Sequence, residues 1–178
     1  SLRRQRQMCI RDSRLIEECM LAANLCAAEL LEAKTIPALF RLHENPASED
    51  IVSLRQSLAE FGVTMSRKSS PSARDLAEVL CSAQKKAVSV DIVQMLLLRS
   101  MKQAVYSATK GPHFALGYPV YTHFTSPIRR YPDLVVHRLL KIRLGWTRSQ
   151  KNNGQPVDIG LVDIAAHCSN TERRAESA

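Results

Sequence analysis

The segment YTHFTSPIRRYPDLVVH, residues 121 to 137, puts aromatic rings, two hydroxyls, two prolines and adjacent arginines directly ahead of an apolar helical pattern. Arg129 and Arg130 stand at the start of that helix, where the positive end of the dipole and unpaired N–H groups favour an anion. A guanidinium adds a planar fork that grips two oxygens of one phosphate. Thr125 and Ser126 supply hydroxyl donors to the same group, and Pro127 restricts the backbone of Ser126. Tyr121, His123, Phe124 and Tyr131 offer flat faces for stacking bases or sugars, as single strands are commonly held. The constellation suits a nucleotide phosphate.

Each component also has a purely structural reading. Phe124 and Tyr131 serve equally as core aromatics, Ser126 as a helix cap, and Asp133 as a partner for Arg130 or for the helix start. His113, His123 and His137 are too scattered to suggest a metal set, so packing or hydrogen bonding is their default. Other chemistries find no footing: there is no G-x-S-x-G elbow, no G-x-x-x-x-G-K-[ST] loop and no H-E-x-x-H. Metal-assisted phosphodiester hydrolysis needs converging carboxylates, whereas residues 99–151 contain only Asp133. If this segment grips a scissile phosphate, the metal ligands come from elsewhere.

The elements that must position the segment are mainly helical. From Ser13 to about Ala33 the apolar residues recur at three and four. Residues 34–46 break that pattern, and Ser48 starts a second helix with Gly62 as its stop. A third is predicted over Ser72 to Ala83, a Met-rich fourth over Val90 to Tyr106, a fifth from Pro127 or Pro132 to Leu144, and a last from Pro156 onward. Residues 110–124 hold glycines, prolines and aromatics without helical period and read as short extended segments joined by turns. Low aromatic content (5%) and only 6 Gly argue against an all-β architecture, and 178 residues suffice for one ordinary core.

The formal charge of +8 is concentrated. Residues 99–151 hold ten Lys or Arg against Asp133 alone, which favours a polyanion such as nucleic acid. No apolar run approaches the roughly 18 to 20 residues that span a bilayer, and the first residues have no apolar stretch after their charges, so a cytoplasmic protein without membrane association is expected. Five cysteines (Cys9, Cys19, Cys26, Cys81 and Cys168), odd in number and with no C-x-x-C pair, predict reduced core thiols. Residues 1–14 show neither periodicity nor turn logic and are an unassigned leader, foreign or disordered.

HFALGYPVYTHFTSPIRRYPDLVVHRLLK closely resembles the signature of the ribonuclease II superfamily of 3′-to-5′ exoribonucleases. The tyrosine ahead of H-F-T-S-P-I-R-R-Y, the following Asp and the His four residues later carry the likeness. RLIEECMLAANLCAAELL, LFRLHENPASEDIVSLRQSLAEFGV and MLLLRSMKQAVYS are similar to the ribonuclease R branch, so the resemblance covers about residues 13–178. It implies stepwise hydrolysis of single-stranded RNA to 5′-nucleoside monophosphates in a magnesium-dependent site within an RNA channel. In the family, aspartates of a G-D-x-x-x-x-D-x-D-D-like stretch hold the Mg2+. That stretch is absent here, so its ligands are expected outside this chain.

Residues 15–178 thus resemble the C-terminal half of an RNB catalytic domain, an α+β and predominantly helical unit expected to be inactive alone. By position, Arg129 matches the family's catalytic arginine at the scissile phosphate, while Glu17 or Glu18 and Glu172 fall where the pocket for the terminal nucleotides is lined. Tyr121, His123, Thr125, Ser126, Arg130 and Tyr131 complete the expected RNA-binding set. No obligate protein partner is implied. The rival reading is a non-catalytic RNA-binding or scaffold module that keeps the basic pocket without metal ligands.

Overall fold

A computed structural model describes residues 2–33, 36–86, 88–146 and 160–177. The chain forms six helices and a two-stranded sheet among the described residues, in the order α1 (Leu2–Ala33), β1 (Phe40–Leu42), α2 (Ser48–Glu60), α3 (Ala73–Lys85), α4 (Val90–Ser100), β2 (Val105–Ser107), α5 (Tyr131–Arg143) and α6 (Leu161–Glu176). It divides into two compact units, each assembled from segments distant in sequence.

One unit comprises Ser1–Arg41, Val105–Gly111 and Val120–Ala178. Its interior is small and aliphatic on α1 (Ala27, Ala28, Leu31) and branched on α5 (Val135, Val136, Leu140), with Ala165 and Cys168 from α6. α6 packs along β2, and the two are tied by a buried hydroxyl: Ser169 Oγ donates to the Ala165 carbonyl (2.9 Å) and accepts from the Tyr106 N–H (2.9 Å). A bond of this kind satisfies a strand amide that would otherwise be buried unpaired.

The other unit comprises Leu42–Ala104 and Pro112–Pro119. Ile51, Leu54 and Leu58 of α2, Leu76, Val79 and Ala83 of α3, and Val93 and Leu97 of α4 are buried together over Phe114. Their spacing of three and four puts one stripe of each helix inward. Ser72 caps α3 in a capping box with Asp75, while Gly62, at φ +69°, closes α2 by donating to the Ala59 carbonyl (2.9 Å).

Several boundaries differ from the sequence reading. α1 runs back to Leu2, beyond the point where apolar spacing starts. The fourth helix stops at Ser100 instead of reaching Tyr106, because residues 105–107 pair as β2 with the segment read as a simple break. Within 110–124 the chain makes a 3-10 turn at Phe114–Leu116 and isolated bridges rather than strands. Pro156 lies outside the described residues. The cysteines are not core thiols as a group: Cys19, Cys26 and Cys81 are free and exposed, and only Cys168 among the described ones is buried.

Candidate nucleic-acid interface

The segment 121–133 lies within the first unit and is fastened to α1 by one buried side chain. Asn24 donates to the Tyr121 hydroxyl (2.9 Å), and its carbonyl oxygen accepts from the backbone N–H of Phe124 (2.9 Å) and Thr125 (3.1 Å). Thr122 donates to the Leu39 carbonyl. His137 Nε2 donates to the Phe124 carbonyl (2.8 Å), with the two rings stacked 4.2 Å apart, so Phe124 is held from α5 as well. The bonds from Asn24 and His137 fix the backbone of Phe124 and Thr125 directly.

A tight turn follows at residues 127–129, closed by the Ser126 carbonyl, which accepts from the amides of Arg129 (3.3 Å) and Arg130 (3.0 Å). Helix α5 begins after it, with Arg130 at the N-cap position and Pro132 in the first turn. Ser126 is therefore not the cap. Since two amides are occupied and proline has none, the backbone here offers an anion less than the sequence suggested. The guanidinium of Arg129 is the principal donor left: the residue is exposed and has no side-chain partner among the described residues. Arg130 differs, bonding through Nη2 to Asp133 Oδ1 at 2.9 Å.

The remaining candidates separate into a network and outliers. Glu172 of α6 receives Arg41 in a two-point bridge (2.6 and 3.0 Å), and the Arg41 Cζ lies 4.5 Å from the Tyr106 ring centroid. Arg41 is thus clamped between a carboxylate and an aromatic face. The Tyr106 hydroxyl shares a hydrogen bond with His123 Nδ1 (2.9 Å), and burial pushes that hydroxyl up to about 12 despite the opposing pull of Arg41. His123 in turn meets Tyr121 edge-on at 5.8 Å. The expectation of an open stacking face fails for Tyr121, which is only 4% exposed because its hydroxyl is anchored on Asn24.

Tyr131, 51% exposed, keeps an available ring and overhangs a cavity of about 570 Å³ walled by Asp163, Ile164, His167, Cys168 and Thr171 of α6. Thr125 keeps a buried hydroxyl with no partner among the described residues. Glu17 and Glu18 lie exposed on α1 and join neither the network nor the turn through any hydrogen bond or ion pair. Magnesium finds no fit in these residues. No group of three His, Cys, Asp or Glu able to hold a metal occurs among the described residues, and Asp133 already accepts two donors.

The RNB domain family matches residues 4–145. The chain belongs to that family. This RNB chain is 43% identical over 173 residues to ribonuclease R of Escherichia coli, an alignment covering 93% of the chain and 21% of the relative. It therefore spans about a fifth of the length of the curated relatives it matches. Among solved structures it is similar to Mycoplasma genitalium RNase R in complex with ribose methylated single-stranded RNA (33% identity, TM-score 0.81, 88% of this chain and 25% of that one). It is also similar to yeast Ssd1, described as a pseudonuclease (29% identity, TM-score 0.71, 86% and 19%). No described helix is long and apolar enough to cross a membrane.

Sequence reasoning passed over Arg41, Tyr106 and Asn24, which hold the RNB chain's network together. Arg41 lies in LFRLHE, where a lone basic residue reads as solvated, and its partner is 131 positions away. Asn24 sits on the apolar face of α1, and a buried polar residue on such a face was the available signal.

Proposed function

We propose that this chain is the arginine-bearing part of a 3′-to-5′ exoribonuclease of the ribonuclease R kind, with residues 15–178 forming the C-terminal half of its catalytic domain. The observation that carries the reading is an exposed Arg129, with no side-chain partner among the described residues, on a hydrogen-bonded turn within residues 99–151, which hold ten Lys or Arg against one Asp. In this reading Arg129 grips the phosphate beside the scissile bond and stabilises charge that develops there. Arg130 supports the turn, Tyr131 contributes a ring to the strand, and Glu172, with Glu17 or Glu18, borders the terminal nucleotides. Tyr121, His123, Thr125 and Ser126 act by shaping the backbone that RNA meets. Magnesium is held by carboxylates outside this chain, RNA is released as 5′-monophosphates, and the compartment is the cytoplasm.

The test has two parts. The chain alone should bind fluorescein-labelled oligoadenylate and leave it intact in magnesium. Fused behind the aspartate-bearing N-terminal RNB half of the E. coli relative, it should shorten 5′-labelled RNA from the 3′ end. A fused protein that folds and binds RNA but never shortens it would sink the nuclease reading. That result would favour the second reading, a non-catalytic RNA-binding module, which the similarity to a pseudonuclease supports.

A further inference from the structure

Asp133 is completely buried, 0% exposed, at the third position of α5. A single oxygen, Oδ1, accepts from both ends of the arginine turn: the Ser126 N–H at 2.8 Å and Arg130 Nη2 at 2.9 Å. Its other oxygen, Oδ2, and the Nε of Arg130 are buried with no partner among the described residues. A pair arranged for attraction alone would use the parallel two-point geometry that arginine and carboxylate favour. Here one acceptor instead joins residue 126 to residue 130, and Arg129 lies between the two fastened points. A buried carboxylate with half its capacity unused is a costly way to start a helix, since a serine or threonine cap does the same without desolvating a charge.

We propose that Asp133 is a positioning residue for Arg129. By fastening Ser126 and Arg130 to one oxygen it holds the turn in the shape that leaves the Arg129 guanidinium preset for a phosphate, and it withdraws Arg130 from competing for that phosphate. Preset donors gain over mobile ones because no ordering cost falls on binding. The inference rests on the phosphate-binding reading of Arg129 given above.

Substitution Asp133→Ala distinguishes this role from that of a nearby charge, because the two predict opposite signs. It removes a negative charge beside the arginines, so a simple field effect tightens RNA binding and steepens its salt dependence. Loss of positioning weakens binding despite the added positive charge, by about fivefold or more. Asp133→Asn removes the same charge but keeps an oxygen able to accept both bonds. The measurement is fluorescence anisotropy of labelled oligoadenylate with the 178-residue chain across a salt series, alongside amide hydrogen exchange. Expected are weaker binding by Asp133→Ala, recovery by Asp133→Asn, and faster exchange confined to residues 126–130 in Asp133→Ala. Tighter binding by Asp133→Ala, or equal binding by Asp133→Ala and Asp133→Asn, overturns the proposal.

The exchange arm keeps the two readings separable. If the unsubstituted chain does not bind the RNA, the phosphate reading fails, and unchanged exchange at 126–130 in Asp133→Ala independently removes the fastening role. Should Asp133→Ala lose its helical signal, Arg130→Gln releases one end of the turn only. Faster exchange at 129 and 130 then supports the proposal, and unaltered exchange there ends it.

Discussion

Three arginines of the first unit face different electrostatic surroundings: Arg41 and Arg130 are each bound to a carboxylate, whereas Arg129 has none among the described residues. Substitutions should separate them. In the fused protein, Arg129→Ala is expected to slow single-turnover cleavage on the order of 10²-fold with a smaller loss of RNA affinity, because its contact strengthens as charge develops. Arg129→Lys should rescue poorly, lacking the planar fork, and Arg130→Ala should be milder. Equal losses for the two alanine variants would reduce the doublet to bulk charge. A second residue-scale expectation concerns Tyr106, whose hydroxyl is raised from an ordinary 10.0 to about 12. The folded state then holds this proton more tightly than the unfolded chain does, so its contribution is complete below pH 10 and is lost as pH rises toward 12. Absorbance titration near 295 nm should show a late-ionising tyrosine that Tyr106→Phe removes. The pairing of Arg130 with Asp133 was legible in sequence because the residues are three apart at a helix start. The burial of Tyr121 was not, since it depends on Asn24, 97 positions away.

Among the elements, helix interiors were readable and ends much less so. α2 and α3 follow their apolar spacing and their Ser48, Gly62 and Ser72 punctuation closely. α4 was overextended because LRSMKQAVY remains compatible with a helix until β1 competes for residues 105–107 through its backbone groups. Cap chemistry gives a direct check on these ends. Ser72→Ala removes the side-chain acceptor for the Asp75 amide and should lower stability by about 1 kcal/mol in urea melts. Ala47, at the same position of α2, has extended backbone angles but no capping side chain, so Ala47→Ser should raise stability by up to about 1 kcal/mol. Deep in the second unit, Leu58→Ala should cost about 2–5 kcal/mol, since Leu58 is fully buried. Failure of Ser72→Ala to shift the midpoint would mean that the capping box is not maintained in solution.

For the molecule as a whole, charge distribution and exposed apolar surface lead to separate measurements. RNA affinity should fall linearly on logarithmic axes as salt rises, with a slope of about −0.7 for each phosphate neutralised on a single strand. Binding unchanged between low and high salt would remove the basic stretch from the interface. On α4, Ile92, Met95 and Leu98 stay exposed while Val93 and Leu97 are buried, leaving an apolar outer stripe. Sedimentation should show self-association at high concentration that Met95→Lys with Leu98→Lys reduces. The RNB relationship was legible from the HFTSPIRRY run. The division into two units was not, because nothing local in residues 105–119 marks which unit each stretch joins.

That division also sets an order of events during synthesis on the ribosome. The second unit takes its helices from the unbroken stretch 42–104, so its three-helix core can close as soon as that stretch has emerged, with Phe114 added shortly after. The first unit waits for Val105–Gly111 and then for α6, since Arg41 meets Glu172 and Tyr106 meets Ser169 only once α6 has emerged. Asn24 of α1 finds its partners earlier, when residues 121–125 have emerged. Of the described helices, α1 therefore waits longest for the α6 contacts that complete its unit.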